Sequence, residues 1–165
     1  MSSDTHRESL SEEATHVLEE SRMVLPGVQA ILGFQLIAAF NQRFTQFDKS
    51  EQTLHYAAFF LVALAMALIL APACYHRQAE RGTVSRRFIV LASAALTAAM
   101  APLAIGICLD AYLLGVMILG DRLPSLAGAS ALLAVLIGLW YGVPALLRHR
   151  NRQRLAGVAG ERGAS

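Results

Sequence analysis

The chain has 165 residues, of which 55% are apolar and 16% charged, with a net charge of +2 and a mean hydropathy of +0.47. A soluble domain carries about 25% charged residues, so an ordinary water-soluble fold is excluded. So small a net charge, with its basic residues beside apolar segments, gives no reason to expect a nucleic-acid partner.

Residues 1–8 are a polar tail. Ser9 and Glu12 form an S-x-x-E capping box. Leu10, Ala14, Val17 and Leu18 then recur at helical spacing among glutamates, predicting a short amphipathic cytoplasmic helix within 1–22. Its acidity disfavours an anionic lipid surface, so it is expected to pack on its own bundle or on a basic loop. These first 22 residues lack a basic stretch followed by a short apolar core. Span one (23–40) is therefore expected to be retained rather than cleaved. Pro26–Gly27 marks its entrance, with a bend in one long helix favoured over a fresh start.

Four apolar segments follow one another at 23–40, 54–73, 88–120 and 126–147. A bilayer core of about 30 Å requires roughly 20 such helical residues. The expected fold is all-α: an antiparallel four-helix transmembrane bundle over 23–147, preceded by the cytoplasmic helix and followed by a basic tail over 148–165. The loop 41–53 carries Phe44 and Phe47 as interfacial anchors, and span two is expected to end at Pro72. Span three is too long for a bilayer core. Either it tilts and projects, or it ends near Asp110. Its first half is rich in Ala92, Ala95 and Ala99, a face suited to close helix approach. Trp140 and Tyr141 lie near the cytoplasmic end of span four.

Eleven of the fourteen basic residues fall in the N-terminal tail, the second loop and the C-terminal tail. Arg43, Lys49 and Arg122 lie on the opposite side. Cytoplasmic loops collect Lys and Arg, so a multi-pass protein of the cytoplasmic (inner) membrane is expected, both termini cytoplasmic. Cys74 and Cys108 would differ in depth by roughly 30 Å, which excludes a disulfide between them.

Asp110 is the lone acid inside an apolar segment, and an intramembrane carboxylate is a functional candidate. Its commoner use would be as a cap where span three reaches the outer interface. Gln29 and Gln35 must find partners in a dry bundle. Six positions apart, they face about 120° from each other, so they form no continuous polar stripe. Arg43 and His55 bound the outer loop, and Arg43 is placed to pair with Asp110. His76 and Arg77 are candidates for lipid or partner contact. The sequence contains no P-loop, GxGxxG, CxxC or HExxH, and no enzyme activity, cofactor or metal is expected.

The strings Leu25-Pro26-Gly27-Val28-Gln29, Gly33-Phe34 and Phe40-Asn41-Gln42-Arg43-Phe44 are distinctive, as is Ala71-Pro72-Ala73-Cys74-Tyr75-His76-Arg77. Over 17–120 the chain resembles a family of small bacterial four-span membrane proteins classed as a domain of unknown function. Some relatives carry the label sodium:proton antiporter. The resemblance maps a family acid onto Asp110, and places Gln29, Arg43, His76 and Arg77 on motif positions. It implies proton-coupled exchange of a monovalent cation, Na⁺ or K⁺, across the lipid bilayer, which a chain of 165 residues is expected to perform as a homo-oligomer. In that scheme Asp110 binds the proton or the cation, and Gln29 and Gln35 supply neutral oxygens. The chain lacks the paired membrane acids and broken inverted repeats of well-understood antiporters. The competing expectation is a scaffold, docking a partner through the small-residue face of span three and the acidic helix.

Overall fold

The computed structural model describes residues 10–79 and 84–150, without the Arg43 side chain. Helix α1 spans Leu10–Ala39, α2 Lys49–Ala79, α3 Arg86–Leu119 and α4 Arg122–Ile137. A 3₁₀ turn at Gln42–Gln46 joins α1 to α2. A π turn at Gly138–Gly142 carries α4 on toward Arg150. Among the described residues there is no strand. Among the described residues four helices are long and apolar enough to cross a membrane, and they form an antiparallel bundle in which α3 packs on each of the others.

The packing follows a period of seven. The buried residues of α1 are Ala14, Ser21, Val28 and Gln35, each seven positions after the last. Those of α2 are Glu51, His55, Ala58, Val62, Ala65, Ile69 and Pro72, alternating steps of four and three. In α3, Ala92, Ala99, Gly106 and Leu113 repeat the seven-residue step. A 3.5-residue period keeps one seam of each helix facing its neighbours and imposes a left-handed supercoil. Val28, Val62, Ala65, Ile69, Ala99 and Leu103 meet along these seams as the central core. Large side chains such as Phe34, Ile37, Phe60, Val90 and Ile118 point outward, as they must where the solvent is lipid.

Small residues set the helix spacing. A Cβ added at Gly106 would lie 2.7 Å from Val62 Cγ2 and 3.2 Å from the Ala58 carbonyl oxygen. One added at Gly115 would lie 2.8 Å from Ser125 Oγ. These two positions fix the α2–α3 and α3–α4 approaches. Ala92 and Ala99 are likewise buried within the bundle. Two residues of the expected partner-docking face, Ala92 and Ala99, thus pack inside one chain, while Ala95 is half-buried.

The predicted helix limits also change. α1 is continuous through Pro26, and its first turns pack on the bundle through Ala14, Val17 and Leu18 against Phe88, Ile89 and Ala92. Ser9 of the expected capping box lies outside the described residues, as does the tail beyond 150. α2 starts at Lys49, not 54. Asp48 and Glu51 cap it reciprocally: the Glu51 N–H donates to Asp48 Oδ1 at 2.8 Å, and the Asp48 N–H to Glu51 Oε2 at 3.0 Å. The same helix passes through Pro72 to Ala79, because a membrane helix tolerates an interior proline among neighbouring helices. α3 continues to Leu119, where Gly120 adopts the left-handed conformation (φ 68°) and donates to the Val116 carbonyl. Asp110 thus lies in the interior of α3 and is not its cap, which corrects the commoner reading.

Gly106→Ala is expected to lower stability by about 1–3 kcal/mol through overpacking. Gly128→Ala, with open space around its Cβ, should be close to neutral. Thermal unfolding of the two variants in detergent, followed by circular dichroism, checks this. Equal midpoints would contradict the close α2–α3 approach.

Candidate functional site

Three helices bring polar residues to the same level. Gln35 closes the heptad series of α1, His55 sits on the α2 seam, and Asp110 falls four residues after Gly106 on α3. Gln35 Nε2 donates to Asp110 Oδ2 at 2.7 Å. His55 Nδ1 lies 3.6 Å from Asp110 Oδ1, and His55 Nε2 lies 3.0 Å from the Gln35 backbone carbonyl oxygen. Each of the three helices therefore contributes one polar group to one cluster.

The shell around the cluster is aromatic and apolar. Phe44 meets the His55 ring edge-on, centroids 5.2 Å apart, and Phe47 meets Phe44 at 5.8 Å. The 3₁₀ turn carries Phe44, and Phe47 follows it directly, so both rings lie at this end of the bundle. A cavity of about 400 Å³ lies beside the cluster. Gln35, His55 and Asp110 form its polar pole, and Phe34, Leu114 and Met117 contribute to its apolar wall. Gln35 is 4% exposed. Its Oε1 has no hydrogen-bond partner among the described residues, and a buried acceptor left unpaired costs about 1–3 kcal/mol.

A second polar group clamps the same end. Arg122, in the first turn of α4, donates to Asp48 Oδ2 at 2.5 Å and to Glu51 Oε1 at 3.3 Å. The Ser50 hydroxyl, the Glu51 backbone N–H and the Arg122 guanidinium together hold the Asp48 carboxyl at about 2, against an ordinary 3.8. Among the described residues, no three His, Cys, Asp or Glu side chains converge as metal ligands would.

The family model decides the kinship, matching residues 3–144. The chain belongs to DUF6328, a family of unknown function. No curated protein and no solved structure matches it. For this DUF6328 protein, the candidates read from sequence separate clearly. Asp110 and Gln35 come together. Gln29 is exposed on another face of α1 and supplies nothing to the cluster. The Arg43 side chain lies outside the described residues, and among the described residues Gln35 and His55 meet Asp110. His76 is half-buried, its ring 5.4 Å from that of Phe88, beside Tyr75 stacked on Phe88 at 6.0 Å. It fastens α2 to the start of α3. Arg77 is exposed nearby. Cys74 and Cys108 are both free thiols. His55 was legible only as a loop boundary, yet its register with Ala58, Val62 and Ala65 marks it as a seam residue.

The clamp predicts a pH dependence. The Asp48 pKa is depressed in the folded state, so its stabilisation is present above 3.8 and is lost as pH falls toward about 2. Asp48→Asn should lower the thermal midpoint at neutral pH, and the gap from wild type should close across that window. A gap constant through the window would contradict the ionised clamp.

Proposed function

We propose that this membrane protein exchanges protons for a monovalent cation at Asp110. The observation that carries the reading is the three-helix cluster of Gln35, His55 and Asp110 beside a cavity. A carbonyl oxygen only accepts, so the short contact to the Gln35 carbonyl assigns the Nε2 proton to His55. His55 Nδ1 then faces Asp110 with its lone pair or with a second proton. The 3.6 Å separation is within about 1 Å of hydrogen-bond length. One proton resident on either group leaves the pair net neutral. Without that proton the pair carries one negative charge, which is expensive in an apolar bundle. A proton or a monovalent cation would restore neutrality equally well, so the exchange is one for one and electroneutral. Gln35 holds the carboxylate in either state, and no covalent chemistry is involved.

The arginine distribution favours cytoplasmic termini in the inner membrane. The cavity, beside the turn at Gln42–Gln46, then faces outward. We infer that a second copy of the chain supplies the rest of the path, since four helices make a small unit for alternating access.

The test is proton movement in proteoliposomes, beside protein-free liposomes, after a pulse of Na⁺, K⁺ or a primary ammonium ion, a response to any one of which suffices. Wild type should give cation-dependent flux without net charge movement, and Asp110→Asn should lose it by roughly 100-fold. Equal flux in the variant, or none in correctly inserted wild type, would overturn the reading.

A further inference from the structure

The cavity beside Asp110 is not shaped for a bare inorganic ion. Na⁺ or K⁺ sheds water only where several oxygens replace its hydration shell. Among the described residues, the side-chain oxygens of its lining are few: those of Asp110, Gln35 and Asn41. The rest of the wall is apolar, and three phenylalanines (Phe34, Phe44 and Phe47) line it. Its volume of about 400 Å³ lies in the range of small-molecule sites, about 300–1,000 Å³.

We propose that this cavity binds an organic ammonium ion, a protonated amine carrying an aryl or alkyl body. The inference rests on the exchange reading above and names the cation's chemical class. Each part of such a ligand meets a matching group. The positive charge faces the Asp110 carboxylate. An N–H of the ammonium supplies the donor that Gln35 Oε1 lacks. Gln35 is more than nine-tenths buried, so that acceptor has no easy recourse to water. The hydrocarbon body of the ligand packs on the apolar wall, which includes Phe34, Phe44 and Phe47. A neutral alcohol of the same shape would gain the wall but not the carboxylate. A quaternary ammonium would gain the carboxylate but leave Gln35 Oε1 unpaired. Amine entry displaces the proton shared by Asp110 and His55 of α2, while α1 contributes the uncharged Gln35. The displaced proton goes to water.

The experiment is equilibrium dialysis of the full chain in nanodiscs against radiolabelled 4-phenylbutylamine. Proton release is read in weak buffer with a pH indicator. Wild type should bind saturably, one amine per chain, and release one proton for each amine bound. Asp110→Asn should weaken binding about ten-fold or more. Met117→Trp, which fills the cavity without touching the polar cluster, should weaken it comparably, so the test does not depend on one variant folding. 4-Phenylbutanol should compete about ten-fold less well than unlabelled amine, and excess Na⁺ should not compete. Binding unchanged in both variants would mean partition into lipid and would overturn the proposal. Displacement by Na⁺ or K⁺ at concentrations where they also drive flux would overturn it while leaving the exchange reading intact. Saturable, variant-sensitive binding without proton release would support the amine site and contradict exchange.

Discussion

The hydrogen bond from Gln35 Nε2 to Asp110 Oδ2, at 2.7 Å, is the constraint on which the Asp110 end of this bundle depends. A carboxylate inside an apolar helix must be met by polar groups, because lipid offers none. Meeting it fixes the register of α1 against α3. The Gln35 backbone carbonyl then receives His55 Nε2 at 3.0 Å, which fixes α2. Between lipid-soluble helices the hydrophobic effect chooses no partner, so polar contacts of this kind carry much of the specificity. Elsewhere the seams are small and apolar, and they set distance rather than register.

The two ends of the molecule are built differently. At the end carrying the second loop, Phe88 collects Tyr75, His76 and Ala14 into an apolar knot. At the other end, the polar cluster and the Asp48–Glu51–Arg122 clamp lie close to the 3₁₀ turn. Arg122 in α4 grips the cap of α2, and the Gly120–Asp121 link is too short to let α3 and α4 separate there. The cavity is thus held by ionic and hydrogen-bonded groups that a proton or a cation can address, whereas the opposite end answers chiefly to packing.

Much of the fold was legible because hydropathy reports the spans directly. The helix limits were less so. Lys49 and Glu51 looked like loop residues, yet the Asp48–Glu51 capping box starts α2 there, which places His55 inside the helix rather than at the loop boundary. Pro72 and Asp110 looked like ends, but a proline can lie on a seam and an acid can be satisfied by a neighbouring helix. The 120° separation of Gln29 from Gln35 argued only against one continuous polar stripe, and both were expected to supply oxygens at Asp110. Choosing Gln35 needed its register with Ala14, Ser21 and Val28, a pattern that emerges only when small and polar residues are counted together with the hydrophobic ones.

The most direct measurement is a double-mutant cycle on unfolding free energy in detergent, with Gln35→Leu, Asp110→Asn and the double variant. Side-chain hydrogen bonds between membrane helices couple by about 0.6 kcal/mol on average and up to about 1.7. The expected coupling is near the upper figure, because Gln35 and Asp110 also share His55, while Gln29→Leu with Asp110→Asn should show none. Additive effects at Gln35 and Asp110 would contradict the central role of this bond.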